Sequence, residues 1–185
     1  MKVGIMNEKD IRVQKTNLRL SQIFLELLEE QLLTKITINH ICHKANVHRT
    51  TFYQHFKDKY ELLWYVCRGV MKPYFNLQFE ERLYYPFSSL EKAFDQQTIN
   101  ILQTQKENPK FYRLILKQFS KYFEGELKSH EMTLPFEPHF PVEVFGYVYT
   151  STIQSMNQWR IDCNIAFDAY YMDKLYQKLI SFKHE

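Results

Sequence analysis

The stretch Thr37 to Leu63, TINHICHKANVHRTTFYQHFKDKYELL, decides the fold. Ile38, Ile41, Cys42 and Ala45 recur at offsets of three, four and seven, which is one apolar face of a short helix. Thr37, just before them, is placed to cap that helix. Asn46 follows at the turn, and Asn is the non-Gly residue that best tolerates the left-handed backbone a tight inter-helix turn demands. A second short pattern turns Val47 and Phe52 inward and closes on Phe56. Between these stand His48, Arg49, Thr50, Thr51, Tyr53, Gln54 and His55, a dense row of hydrogen-bonding groups on a helix short enough for a DNA major groove. The pair reads as a helix-turn-helix.

The wording of the motif is specific. Thr37, Ile41, Cys42, Ala45, Val47, Thr51, Phe52, Tyr53, His55, Phe56, Lys59 and Leu62 stand in register with the DNA-binding domain of the TetR family of bacterial transcriptional regulators, which this segment resembles. Asn46 replaces the family's usual Gly, His48 its commoner Ser, and Thr50 a frequent Gly. The resemblance is strong from about Thr16 to Leu63 and architectural beyond. It implies a regulator, most often a repressor, that binds double-stranded DNA as a homodimer. It also implies release from DNA by a small-molecule effector.

Within the motif, His48, Arg49, Thr50 and Gln54 are the candidate base readers, because Arg reads guanine and Gln adenine in the major groove. Thr37, Lys44, Thr51, Tyr53, His55 and Lys59 are candidate phosphate anchors, with Tyr53, His55 and Lys59 assigned by the resemblance. The competing view of the motif is a purely structural corner. Arg12, Lys15 and Arg19, on the early turns of a preceding helix over 11–33, either solvate its start or add phosphate contacts.

Composition agrees with this reading. Only 4 Gly and 6 Pro in 185 residues leave few sites for the tight turns of an all-β chain, so an all-α fold is expected. Residues 1–72 carry 12 Lys and Arg against 7 Asp and Glu, and the rest carry 12 against 14, so the excess of positive charge lies with the motif. Cys42, Cys67 and Cys163 are scattered, as in a reduced cytoplasmic protein. Residues 1–20 hold no continuous apolar run of a signal peptide, and no apolar segment approaches the length of a membrane span.

The rest of the chain reads as helices. Asp58 caps a helix that a kink or stop near 71–73 should break, at Pro73. Leu77 to Phe87 reads as irregular, ending at Pro86. Ser88 or Ser89 starts a helix to about Lys106, and Asn108-Pro109 starts another that Gly125 ends or interrupts. Met132 to Pro141, with three prolines, reads as a long loop. Two closing helices, 142–161 and 166–182, are separated by Asp162-Cys163-Asn164, a link short enough for antiparallel neighbours. The expected domains are 1–57 for DNA binding and 58–185 for regulation and dimerisation.

The second domain is rich in aromatics. Tyr112, Phe119, Tyr147, Tyr149 and Trp159 are candidates for an effector pocket, although each such aromatic is more often part of a core than of a pocket. Phe145, Val148, Thr152, Met156, Tyr171, Leu175 and Leu179, on the closing helices, are candidate dimer contacts, and a monomer's core would show the same pattern. His40 and His43 flank Cys42 at a spacing that places two metal ligands together. Cys42 falls on the apolar face and no second cluster accompanies them, so neither metal nor cofactor is expected. No nucleophile elbow, phosphate loop, zinc-protease or paired-carboxylate signature is present, so an enzyme is not expected. A second reading keeps the fold but makes the chain a coactivator or interaction module acting through a partner regulator. Weak DNA affinity and hetero-association would mark it.

Overall fold

A computed structural model describes residues 8–129 and 141–180. Among the described residues there are ten helices and no strands, as an all-α fold requires. The chain forms two compact units: residues 1–70 with 95–112, and residues 71–94 with 113–185.

In the first unit, α1 (Glu8–Glu30) buries Leu20, Phe24, Leu27 and Leu28. This is the i, i+4, i+7, i+8 stripe of an amphipathic helix. Helix α2 (Ile38–Ala45) and helix α7 (Gln96–Thr104) pack against α1, and α3 (Arg49–His55) packs against α2. Asp58 caps α4 (Lys59–Phe75), its Oδ1 accepting from the Tyr60 and Glu61 amides at 2.8 and 2.9 Å. The incorporation of α7 follows from one buried amide. Gln105, fully buried, donates from Nε2 to the Leu28 and Gln31 carbonyls at 2.8 and 2.7 Å. Its Oε1 accepts from the Leu33 amide at 2.9 Å and from Asn108 Nδ2 at 3.2 Å. The carbonyls that α1 leaves open at its C-terminus are thus satisfied from 74 and more residues away. Thr104 adds a bond to the Glu29 carbonyl at 2.9 Å, and Asn100 one to the Glu29 carboxylate at 2.6 Å.

The second unit is built from the end of α4, α5 (Phe79–Tyr84), α6 (Pro86–Ala93), most of α8 (Pro109–Ser129), α9 (Val142–Asp162) and α10 (Ala169–Ile180). Its core joins Phe79, Leu83, Phe87, Phe123, Tyr149 and Met172. Arg82, 1% exposed, sits inside that unit among the rings of Tyr74, Phe75 and Phe79, with its guanidinium paired to both oxygens of Glu126. The buried cation is therefore neutralised and hydrogen-bonded, as a buried charge must be. Asp173, on α10, accepts from the Phe87 and Ser88 amides at 2.8 and 3.0 Å and from the Ser88 hydroxyl at 2.5 Å. It caps α6, whose own N-cap, Tyr85, supplies no side-chain bond.

Several local expectations are corrected. Helix α4 does not stop at 71–73 but continues through Pro73 to Phe75. The proline forgoes one backbone bond, but the fully buried Tyr74 holds the last turn through its ring and hydroxyl. The Leu77–Phe87 stretch is not irregular: it holds α5, and Pro86 opens α6 at a first-turn position where its missing N–H costs nothing. The helix expected from Ser88 or Ser89 to Lys106 is two, because Asp95 caps α7 through the Thr98 amide at 2.8 Å. Gly125 neither ends nor breaks α8; its position is exposed and a side chain there would meet nothing within 4 Å. The last helix starts at Ala169 rather than Ala166, leaving Phe167 exposed before it. Of the long loop expected over 132–141, residues 132–140 lie outside the described residues, as does Phe182.

Candidate nucleic-acid interface

The helix-turn-helix is held by bonds local in sequence. Thr37 Oγ1 accepts from the His40 amide at 3.1 Å and caps α2. Asn46 adopts φ 50° and ψ 50°, the left-handed region. The Val47 amide then reaches the Cys42 carbonyl at 2.9 Å and the Asn46 amide the His43 carbonyl at 3.1 Å. This paired closure satisfies the last carbonyls of α2 and turns the chain sharply into α3. Cys42 is buried on the inner face, and burial, opposed by Arg49, raises its thiol pKa. Helix α3 locks in place through Phe52, fully buried, whose ring lies 5.9 Å from that of Phe56.

This leaves the opposite face of α3 in solvent. His48, Arg49, Thr50, Tyr53 and Gln54 are exposed; Thr51 and His55 are half-buried. Arg49, Thr50 and Gln54 are therefore exposed on one seven-residue helix, and His48 is exposed at its N-cap. The phosphate candidates are less uniform. Thr37 is exposed, with its oxygen engaged in the cap. Lys44 pairs with Glu30 at 2.7 Å and Glu26 at 3.7 Å, fastening α2 to α1. Lys59 donates to the Leu33 and Ile36 carbonyls at 2.8 and 2.6 Å. Burial, partly offset by Tyr60, holds its ammonium pKa below the usual range, and Lys110 lowers it further. Lys59 thus staples the α1–α2 connection, with one N–H left over. On α1, Arg12, Lys15 and Arg19 are exposed. Among the described residues no three His, Cys, Asp or Glu side chains converge as a metal site, and His40 instead meets Gln31 at 3.2 Å. No described helix is long and apolar enough to cross a membrane.

No protein-family model matches the chain. Over 55 residues it is 46% identical to the uncharacterized helix-turn-helix-type transcriptional regulator YxbF of Bacillus subtilis; the match takes in 29% of this chain and 14% of that one. A TetR transcriptional regulator from Streptococcus agalactiae superposes over 93% of this chain and 97% of its own, at a TM-score of 0.62 and 22% identity. This is the TetR-regulator fold. A Clostridium perfringens protein proposed to regulate fatty acid metabolism shares it over 86% of this chain and 94% of its own, with a TM-score of 0.51 and 14% identity. The resemblance carried by residues 37–63 is thus matched by the architecture of nearly the whole chain.

The TetR fold places the remaining candidates unequally. Phe119 and Tyr149 enter one aromatic stack through Phe123, whose ring lies 6.4 Å from the first and 4.2 Å from the second. The Tyr149 hydroxyl donates to the Arg82 carbonyl at 2.5 Å and lies 2.9 Å from the Tyr74 hydroxyl, which therefore donates to it. Burial raises both phenol pKa values. Tyr147 and Trp159 are exposed and outside this network. Tyr112 belongs to the first unit and donates to the Leu102 carbonyl at 3.0 Å. Of the dimer candidates, Val148, Tyr171 and Leu179 are exposed, and Phe145, Thr152, Met156 and Leu175 are half-buried. Gln105, Asp173 and the Arg82–Glu126 pair escaped sequence reasoning. The Asn108-Pro109 helix start beside Gln105 was the nearest available signal.

Proposed function

We propose that the chain is a sequence-specific DNA-binding transcriptional regulator, acting as a homodimer on a pseudo-palindromic operator. The observation that carries this reading is the exposed face of α3, where Arg49, Thr50 and Gln54 stand on a helix locked by Phe52, with His48 exposed at its N-cap. The 55-residue likeness to a helix-turn-helix regulator supports it. In the proposed complex α3 enters the major groove, and Arg49 and Gln54 read base edges. Thr37, Thr51, Tyr53, His55 and the remaining N–H of Lys59 face phosphates, and Lys44 fixes the motif to α1. DNA binding belongs to residues 1–57, with Lys59 adding its contact from just beyond that boundary, and regulation and dimerisation to residues 58–185.

One helix-turn-helix spans only a few base pairs, so useful selectivity needs two, a helical turn or a multiple apart. The exposed Val148, Tyr171 and Leu179 supply apolar surface for a two-fold contact. The chain represses in the cytoplasm, and a small molecule bound in the aromatic second unit relieves it. The test is selection of bound duplexes from random DNA at 150 mM salt. It should enrich two inverted half-sites about 10 base pairs apart or a multiple. The Thr152→Glu/Leu175→Glu double variant should be a monomer that keeps its helix content and loses the tight complex. Wild-type protein that is monomeric by light scattering, or enriches no sequence, would overturn the reading and favour a coactivator.

A further inference from the structure

Arg49 and Tyr53 stand one helical turn apart on the exposed face of α3. The Arg49 Nη2 donates to the Tyr53 hydroxyl at 3.3 Å, and the guanidinium carbon lies 5.8 Å from the centre of the Tyr53 ring. The ring is itself oriented from below: its edge contact with the buried Phe52 has centroids 5.6 Å apart and planes at 88°. A chain of contacts thus runs from the core to the Arg49 head. Arginine is costly to immobilise, because its long stem loses rotamer freedom in any fixed pose. The bond to Tyr53 uses one of five N–H groups, which leaves enough for the bidentate donation that reads a guanine.

We infer that Tyr53 is a specificity-determining positioning residue: it holds the Arg49 guanidinium for base reading, rather than acting chiefly as a phosphate anchor. The inference rests on the DNA-binding reading above. The two roles leave different signatures. A phosphate anchor lowers affinity for all sequences alike, whereas a positioner acts at the base pair its partner reads. The bond is long and exposed, so its effect is modest.

The test is Tyr53→Phe, which removes the hydroxyl and keeps the ring against Phe52. In free protein, 15N relaxation of the Arg49 Nε should show greater mobility in the variant. With the selected duplex and its single-base substitutions, Tyr53→Phe should lose about three- to tenfold of discrimination at the one base pair where Arg49→Ala also loses it. The Tyr53→Phe/Arg49→Ala double variant should discriminate there no worse than Arg49→Ala alone. A uniform loss across all duplexes with discrimination intact would overturn the inference, and so would Arg49 mobility unchanged by the substitution. Wild-type protein that prefers no duplex would defeat the DNA-binding reading itself, and the relaxation measurement would still decide the Arg49–Tyr53 pairing.

Discussion

Replacing Gln105 by Ala should be among the most damaging single changes in the first unit. The side chain is fully buried and makes four hydrogen bonds, two donated and two accepted. Its loss strands the Leu33 amide at a residue 1% exposed, and a buried donor without a partner costs about 1–3 kcal/mol. The Leu28 and Gln31 carbonyls lose their donor, and the missing side-chain volume leaves a void. Together these give about 3–5 kcal/mol, or a melting temperature lower by roughly 6–20 °C for a chain of this length. Gln105→Glu should be worse at neutral pH, because it turns an acceptor toward two carbonyls. Its penalty should ease as pH falls: the buried carboxyl binds its proton more tightly folded than unfolded, so lower pH favours the fold. Guanidinium unfolding followed by circular dichroism, with amide exchange at Leu33, measures both. A loss below about 1 kcal/mol with the Leu33 amide still protected would refute the assignment of Gln105 as the staple.

Asn46→Val should destabilise the motif by about 1–2 kcal/mol, since a β-branched residue resists φ 50°, and Asn46→Gly should be neutral or better; thermal melts compare them. Asp173→Ala should cost about 2–4 kcal/mol in denaturant titrations by uncapping α6, and Asp173→Asn should recover part of that. Among the thiols, exposed Cys163 should react with a disulfide reagent at pH 8 within the native protein. Half-buried Cys67, whose pKa burial pushes up to about 12, should react much more slowly, and buried Cys42 only on unfolding; a second fast thiol would contradict this.

What the sequence disclosed is what local chemistry controls. Thr37, Asp58 and Asn108 each cap a helix through an amide two or three residues on, and Asn46 closes its turn within one helix end. Such features can be read from spacing. Gln105 meets Leu33 across 72 positions and Asp173 meets Phe87 across 86, and no local pattern carries those pairings. Pro73 does not stop its helix, and Gly125 neither ends nor breaks its own, for the converse reason: their backbone penalties are a few kcal/mol at most, and packing elsewhere in the helix outweighs them. At the interface, the outward row on α3 follows from the inward Val47, Phe52 and Phe56. The direction of Lys59 does not, because a long flexible stem can reach a backbone carbonyl as readily as a phosphate.

The central claim is that the exposed face of α3 reads DNA sequence. The affinity for the selected duplex relative to a scrambled duplex of equal length, both at 150 mM salt, tests it most directly. The account predicts a ratio of about 10³ or more, falling sharply in Arg49→Ala. A ratio near one, or a high ratio that Arg49→Ala leaves unchanged, would contradict it.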